Sequence, residues 1–395
     1  MDTQALDALA STHALIHDMG RSLEDSDYRY QYHTDLSPLG WHVGHCCFIE
    51  SFWLRDRVLG DSSITEEFDW LYIPENILKP KRGPALPPQD EHLGWCTQLN
   101  AENHALLANP DPIVSAHGLN NNNYLLKFIL QHHSQHAETM AMVLVQRQLK
   151  MEHSDQPVRQ TLTAQAISDE EHIILPASRY NIGNPENSEA FDNEVPPQTL
   201  SLPITRLAES PVTNGNWLAF IEDGGYTETR WWSKEGNTWR NITEVNAPET
   251  WLKNSNHQWF DVSMQGCRHL DTHAAVSGIN YFEASAFINW INTTAGLACT
   301  ARLPHEYEWE AADQSGLLSG TGQVWEWCQN HFHPYPGFTP FPYDSYSKPW
   351  FDQNHYSLRG GSEFTQPSIK RSSFRNFYTP DKRHIFSGLR LAFND

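Results

Sequence analysis

The stretch LLKFILQHHSQHAETMAMVLV, Leu125–Val145, carries His132, His133, Gln135 and His136 at the centre of a mostly apolar segment. On an α-helix, residues four apart lie on the same face with their Cβ atoms about 6 Å apart, so His132 and His136 can hold one ion together. Gln135 flanks that face, whereas His133 lies roughly 100° around the helix axis. Neutral imidazole is a ligand for iron, zinc, copper or nickel. The spacing therefore predicts part of a metal site.

A third ligand is expected from the segment WHVGHCCFIESFW. His45 is followed there by apolar residues at helical spacing, so its side chain is expected to face the interior. His42 lies nearly one turn earlier and is expected to face the loop side, in a supporting or solvated role. Three histidines without a carboxylate or thiolate leave coordination positions open, which is typical of a reactive iron or zinc centre. The alternative is an accidental pair, because the chain contains 21 histidines.

Four helices are expected to position these side chains. Apolar residues recur at helical spacing in four segments: Met1–Leu23, Pro38 to Gly60, about Asp90 to Leu107, and about Gly118 to Leu149. The stretch LKPKRGPALPP between the second and third segments is too rich in proline for a helix and is expected to be a loop. Helices of this length, with a polar cluster in one of them, predict a bundle with a site between helices.

Beyond about residue 160 the pattern changes. Short apolar segments alternate with Gly, Asn, Pro and Trp, and only NYFEASAFINWINTTAG is plainly helical. The sequence therefore predicts two domains, a bundle over residues 1–155 and an irregular α+β domain over residues 156–395. In the second domain, Trp325, Glu326 and Trp327 are expected in the core, and Arg359 and Arg390 are expected to anchor loops through buried polar pairs.

The composition of the chain argues against several classes of protein. A net charge of −21 argues against a nucleic-acid-binding surface. The sequence contains no run of about 18 apolar residues that would cross a membrane, and its N-terminus lacks the basic start and apolar stretch of a signal peptide. Six cysteines in a chain of 395 residues do not form a disulfide framework, which favours a reducing cytoplasm.

The order of the motifs resembles one known two-domain family. SPLGWHVGH and QHHSQHAETM are similar to the DinB-like four-helix bundle of the ergothioneine sulfoxide synthases and selenoneine synthases. VTNGNWLAFIEDGGY, YFEASAFINW, RLPHEYEWEAA, GQVWEWC, LRGGS and FSGLRLAF resemble the formylglycine-generating-enzyme-like domain of that family, which has a C-type-lectin-like fold. The resemblance covers nearly the whole chain and implies an α bundle followed by an irregular α+β domain that supplies a substrate pocket.

The resemblance also implies a reaction. Members of this family are mononuclear non-haem Fe(II) oxidoreductases that use O2 to join sulfur or selenium to the imidazole ring of hercynine (Nα-trimethylhistidine). The family's three histidine ligands correspond to His45, His132 and His136. Gln135 matches the glutamine that contacts the histidine-derived substrate.

In the second domain, the resemblance assigns four further positions. PYDSYSKPWF is similar to the segment that carries the catalytic tyrosine, which would be Tyr343, with Tyr346 lining the substrate pocket. FRNFYTPDKR matches the stretch in which Asn376 would help to hold the betaine and Phe377 would form an aromatic wall. Three other tyrosines remain alternatives for the catalytic role: Tyr335, Tyr356 and Tyr378.

The chain departs from the branch that uses γ-glutamylcysteine. Two arginines bind the donor's carboxylates in that branch, whereas here Lys79 and Arg82 would stand in their places. Lysine lacks the bidentate fork of arginine. Tyr378 occupies the position of an aspartate that would contact the donor's ammonium group. These changes favour a selenosugar donor and hence the selenoneine synthase branch, with cysteine or γ-glutamylcysteine as the alternative donors.

Two further classes stay open from the residues alone. A DinB-like bundle that binds zinc could be a thiol-dependent hydrolase or transferase, which would act without O2 and tolerate loss of the Tyr343 hydroxyl. A lectin-like binding module with vestigial histidines would lose its metal without losing its activity. O2 dependence and metal dependence therefore separate the three classes.

Overall fold

A computed structural model describes residues 2–153, 156–158, 160–167, 172–184 and 189–394. The chain forms two compact units. The first runs to Lys150 and also contains Gln366–Ile369, and the second comprises Met151–Thr365 and Lys370–Asp395. The first unit is helical and the second contains sheets, as predicted for a bundle followed by an α+β domain. In the described part of the chain, no helix is both long enough and apolar enough to span a membrane.

Four long helices build the first unit. They are α1 (Thr3–Arg21), α3 (Leu39–Ser51, continued by a π-helix over Phe52–Leu59), α6 (Gln89–Ala108) and α8 (Tyr124–Leu149). Shorter helices connect them: α2 (Asp25–Tyr28), α4 (Ser63–Tyr72), α5 (Lys79–Ala85), α7 (Pro112–Ala116) and a 3₁₀ helix (Gly118–Asn123). Gly60 ends the second long helix as expected, because its φ of +76° is the left-handed conformation that glycine adopts without steric cost.

The expectation of a loop over LKPKRGPALPP is wrong, because Lys79–Ala85 forms α5. Pro80 lies in the first turn, where the missing N–H has no helical partner to lose. Pro84 removes one backbone hydrogen bond, and the helix ends one residue later. A helix this short tolerates both prolines. The number of prolines was therefore a misleading signal, because whether a proline breaks a helix depends on its position in the helix.

A segment from late in the sequence joins the first unit. Pro367–Ile369 forms a 3₁₀ turn that contacts α8. The hydroxyl oxygens of Ser134 and Ser368 lie 2.7 Å apart. The first unit is therefore completed by residues far from it in sequence.

Thirteen strands are found in the described part of the second unit. They are β1 (His172–Leu175), β2 (Ser178–Ile182), β3 (Gln198–Leu202), β4 (Thr205–Ala208), β5 (Trp251–Lys253), β6 (Trp259–Ser263), β7 (Gly266–Arg268), β8 (Thr300–Arg302), β9 (Trp325–His331), β10 (Tyr356–Arg359), β11 (Asn376–Tyr378), β12 (Ser387–Gly388) and β13 (Ala392–Asn394). Two four-stranded sheets have the orders β1-β4-β13-β8 and β11-β10-β9-β12. In addition, β2 and β3 form a two-stranded sheet, and β5-β6-β7 form a three-stranded sheet. Antiparallel pairing of β10 with β11 sets Tyr356 opposite Tyr378.

The expectation that only one segment after residue 160 is helical is wrong. Besides the predicted helix α11 (Tyr281–Thr294), the unit contains α9 (Asn214–Glu222), α10 (Lys234–Thr243) and α12 (Glu306–Gln314). Each of these has nine or ten residues, too few for a clear apolar period. Their N-caps are a better signal, since the Thr213 and Ser233 side chains each accept from a backbone N–H of the first turn.

The core of the second unit contains the expected buried pairs. Trp325 and Trp327 are fully buried on β9. Between them, Glu326 accepts from Nε and Nη2 of Arg390 at 2.8 and 2.9 Å. Arg359 donates to Glu306 at 2.8 Å. The predicted anchoring role of both arginines is confirmed, since each charge is paired inside the fold.

Candidate metal centre

Helices α3 and α8 bring three imidazoles together. His45 comes from α3, and His132 and His136 come from α8. One nitrogen of each ring lies within 4.8 Å of the others, and the ring centroids are 4.5 to 5.2 Å apart. Donor atoms at this separation can bind one ion, and the set contains no carboxylate or thiolate. Three neutral nitrogen ligands would leave coordination positions for exogenous ligands.

The ring of His45 is held by two contacts. Its Nδ1 lies 2.8 Å from the backbone oxygen of Tyr72, which can only accept, so Nδ1 carries the proton. The indole of Trp41 stacks on the imidazole at a centroid distance of 4.5 Å and an angle of 16°. Both contacts leave the Nε2 lone pair free for a metal, in the arrangement by which metal-binding histidines are oriented.

His42 also faces this cluster, so the expectation that it faces the loop side is wrong. Its Nδ1 lies 2.9 Å from Nδ1 of His136, and the residue is buried. The physical reason is that residues three apart on a helix share a face, which sets His42 beside His45. One of the two Nδ1 atoms donates to the other, and this contact orients the ring of His136.

An unpaired nitrogen supports a cation at this position. Nδ1 of His132 is buried and has no hydrogen-bond partner among the described residues. Leaving such a polar atom unpaired costs about 1–3 kcal/mol, and coordination of the ring would offset that cost. The residues present therefore fit a divalent metal such as Fe(II) or Zn(II).

Burial keeps the imidazoles neutral. It lowers the pKa of His45 to about 3 and holds the pKa values of His42, His132 and His136 well below their usual range. Only neutral imidazole binds a metal. The metal-free site is thus already in the protonation state that binding requires.

Cys46 lies beside the same cluster. Its sulfur lies within 4.8 Å of ring nitrogens of His132 and His133. Burial raises the pKa of this thiol well above its usual range, so it remains protonated in the metal-free protein. Cys46 is itself buried on α3, among the residues of the bundle core.

Arg82 places a buried positive charge close to the histidines. Its guanidinium lies 4.0 Å from the ring centroid of Trp41 and donates to Ser37 Oγ and, at 2.8 Å, to the Pro74 oxygen. Burial lowers the pKa of Arg82 to about 10. Lys79, on the same helix α5, is half-buried. The two cations expected in a loop therefore lie on a short helix. Most of the arginine's hydrogen bonds go to residues of its own unit.

Gln135 lies on the accessible side of α8. It is half-buried, like His132 and His136, whereas the residues between and beside them are buried. A half-buried amide next to the metal-binding face can reach a bound molecule. His133 instead points to another cluster, in which its Nε2 lies 3.1 Å from Glu50 Oε2.

In the second unit, Tyr343 and Tyr346 lie on the segment between β9 and β10. Both are half-buried, and their rings meet edge to face at 6.3 Å. The ring of Tyr346 stacks on Phe191 at 4.4 Å. The neighbouring Ser347 is fully buried and donates its hydroxyl to Asp192. This anchoring was missed from the sequence, because Asp192 follows no motif and is distant along the chain.

Asn376, Phe377 and Tyr378 form β11 and are all half-buried. Phe377 stacks on Phe332 at 4.2 Å, which fixes its ring as part of an aromatic surface.

One of the alternative tyrosines has a clear structural role. Tyr335 is 1% exposed and accepts a hydrogen bond from Arg359, so its hydroxyl is committed to the core.

Comparison with known proteins matches a family to each of the two units. The Sulfatase-modifying factor enzyme 1-like domain family matches residues 158–321 and 312–395, and the DinB superfamily matches residues 4–140. Hercynine oxygenase from Mycolicibacterium smegmatis is 29% identical over 94% of this chain and 94% of its own. Hercynine oxygenase from Mycolicibacterium thermoresistibile is 28% identical over 99% of this chain and 94% of its own. Among solved structures, PvdO from Pseudomonas aeruginosa covers 60% of this chain and 100% of its own, at 14% identity and a TM-score of 0.40.

The two family matches follow the two compact units and together cover nearly all of the chain. The first of them alone spans more than half of it. The chain therefore belongs to the Sulfatase-modifying factor enzyme 1-like domain family, in the ergothioneine-sulfoxide-synthase-like group that joins this domain to a DinB bundle.

Proposed function

We propose that this protein is a non-haem Fe(II), O2-dependent oxidoreductase that forms a carbon–selenium or carbon–sulfur bond at the imidazole C2 of hercynine. Relatives over nearly the full length carry the name hercynine oxygenase, which supports hercynine as the substrate. The partners are thus small molecules and include neither a nucleic acid nor a membrane. All six cysteines are free thiols, in keeping with action in the reducing cytoplasm.

The observation that carries the proposal is the three-imidazole cluster of His45, His132 and His136. Joining an imidazole carbon to a thiol or selenol removes two electrons, so the reaction needs an oxidant. Iron(II) held by three histidines would supply O2 activation. The protein's own contribution is to hold both organic reactants in position, which removes the entropic cost of bringing them together.

Several side chains are proposed to bind hercynine. Gln135 would hydrogen-bond to it beside the metal-binding face. Asn376 would hold the betaine from β11, and Phe377 and Tyr346 would offer aromatic faces to the trimethylammonium cation. The stacking of both rings on neighbouring phenylalanines supports this role, because rigid rings lose little entropy on binding.

Tyr343 is proposed as the catalytic residue. Its phenol would hold and pass a proton during bond formation, thereby directing the oxidant to the carbon–chalcogen bond and away from simple oxidation of the donor. The burial and hydrogen bonds of Ser347 support this assignment, since they fix the segment that carries the phenol.

A selenosugar is the proposed donor. Arg82 has hydrogen bonds to two backbone oxygens and one hydroxyl of its own unit, which leaves it poorly suited to a bidentate carboxylate clamp. Lys79 and Arg82 would then line the donor's path by their charge, without a hydrogen bond from Arg82 to the donor, and Tyr378 would face the donor in place of a carboxylate. A sugar carries neither the carboxylate nor the ammonium group that those positions would otherwise recognise.

Turnover with matched donors tests this proposal. Protein loaded anaerobically with Fe(II) is mixed with hercynine, O2 and one donor at a time: the selenosugar, cysteine or γ-glutamylcysteine. Mass spectrometry is expected to detect a hercynine–selenium adduct with the selenosugar alone. Efficient turnover of either thiol would overturn the donor assignment. Equal activity of zinc-loaded protein without O2 would overturn the reaction class and favour a thiol-dependent hydrolase or transferase.

A further inference from the structure

A second group of metal-binding side chains lies in the core of the bundle. Nε2 of His13 lies 2.8 Å from Oε2 of Glu50, and Nε2 of His133 lies 3.1 Å from the same oxygen. The two imidazole rings are 5.4 Å apart at their centroids and tilted by 54°. We refer to these three residues as the Glu50 cluster. Donor atoms bound to one ion at about 2 Å lie about 3 Å apart, which matches these separations.

Three helices supply the Glu50 cluster. His13 lies on α1, Glu50 on α3 and His133 on α8. Glu50 and His133 are completely inaccessible to solvent, and His13 is 8% exposed. The cluster uses three side chains that are not in the His45, His132 and His136 set, although the rings of His133 and His132 are only 5.7 Å apart.

The charge of Glu50 calls for a cation. Among the described residues, its ion pairs are those with His13 and His133, and neither lysine nor arginine is within reach. A buried carboxylate without a full positive charge is expensive, by several kcal/mol. A divalent ion between the three side chains would supply that charge.

The second carboxylate oxygen points to the same conclusion. Oε1 of Glu50 is buried and has no hydrogen-bond partner in the described part of the chain. Oε2 already faces both imidazoles, whereas Oε1 faces neither a hydrogen-bond donor nor a cation among the described residues, and Nδ1 of His133 is likewise without a hydrogen-bond partner. With a bidentate carboxylate, the cluster offers four donor atoms: two imidazole nitrogens and two carboxylate oxygens. Zinc accepts this combination of nitrogen and oxygen donors, and a set of four closes its usual shell.

We propose that His13, Glu50 and His133 bind a structural zinc ion that ties α1, α3 and α8 together. This ion is additional to the metal at His45, His132 and His136, and it has no position open to substrate. The proposal does not depend on the reaction assigned to the first site. It predicts two metal ions per chain instead of one.

Counting ions in matched variants tests the proposal. Full-length protein is stripped of metal and titrated with Co(II), whose visible absorption reports coordination, and bound metal is then measured by mass spectrometry. Wild type is expected to bind two ions per chain, His45→Ala and Glu50→Gln one each, and the double variant none. His17→Gln is the control for loss of a buried histidine, since His17 bonds to Asn100 outside both clusters and should leave two ions bound.

The titration also excludes the alternative of a buried ion pair. Wild type with one ion and His45→Ala with none would overturn the proposal, and this comparison does not require Glu50→Gln to fold. An unchanged ion count in folded Glu50→Gln would overturn it as well. The proposal would be supported if His45→Ala retained a single ion. In the zinc-loaded form of that variant, the zinc absorption edge should show nitrogen and oxygen neighbours and no sulfur.

Discussion

His45 donates from Nδ1 to the backbone oxygen of Tyr72 across 2.8 Å, and this bond connects the candidate metal centre to α4. The position of Tyr72 is in turn set by close packing. Its phenol lies against the backbone of Gly44 and bonds to Nε2 of His92 at 2.7 Å. The orientation of a proposed metal ligand thus depends on a residue that is not itself one of the three candidate ligands.

Replacing Gly44 with alanine tests this dependence. The added Cβ would lie 2.3 Å from the Tyr72 hydroxyl, so the tyrosine must move. We expect the free energy of unfolding to fall by about 1–3 kcal/mol and metal affinity to fall with it. Chemical denaturation and metal titration would measure both. Gly94→Ala on α6 is the control, because nothing lies within 4 Å of its added Cβ and the change should stabilise the helix by about 0.5–1 kcal/mol.

Arg82→Ala is expected to act on stability more than on donor choice. The change leaves the oxygens of Pro74 and Ile77 and the Ser37 hydroxyl without their donor, which costs about 1–3 kcal/mol. Lys81→Ala, an exposed change on the same helix, should alter stability by less than about 0.5 kcal/mol. Thermal unfolding compares the two variants. Loss of donor affinity in Arg82→Ala at unchanged stability would show that the arginine binds substrate directly.

Metal-free protein should lose stability as the pH falls below about 6.5. Burial holds the pKa of His45 at about 3 and that of His17 at about 4, and lowers the pKa values of His42, His132 and His136. Histidines in the unfolded chain gain protons near pH 6.5 that the folded state does not accept, so acid favours unfolding. Each such proton contributes about 1.4 kcal/mol per pH unit. Denaturation of the metal-free, full-length protein at pH 7.5 and 5.5 measures the slope, and a flat profile would contradict neutral buried imidazoles.

Tyr343→Phe removes a hydroxyl and keeps the ring. If the phenol passes a proton during bond formation, the rate of product formation should fall by about 10²–10⁴-fold, while hercynine binding stays unchanged. Single-turnover product analysis and equilibrium binding separate the two effects. Tyr180→Phe, whose hydroxyl bonds to the Pro176 oxygen away from the proposed site, should retain full activity.

Local spacing was enough to predict that the imidazoles of the candidate site come together. His132 and His136 are one turn apart, and an apolar helix around His45 indicates an inward-facing side chain. The fold class followed from helical periodicity in one half and short irregular segments in the other. The prediction for His42 was wrong because its orientation was judged from chain position instead of from its helical offset to His45.

Other features depend on contacts between distant residues. Nothing in the local sequence around Glu50 predicts that His13 and His133 converge on it from two other helices. The only signal is the His13–His17 spacing on α1, which repeats the spacing of the metal pair on α8. Tyr343 was assigned from family resemblance, since a single tyrosine on an irregular segment has no periodicity to interpret.

Iron K-edge X-ray absorption of the Fe(II)-loaded protein, recorded without donor or O2, tests the central claim most directly. The edge reports on iron alone, whatever other metal the protein binds. The account predicts scattering from three imidazoles, completed by oxygen neighbours, and loss of this signal in His45→Ala. A sulfur neighbour, as expected if Cys46 were a ligand, or an unchanged spectrum in His45→Ala would contradict it.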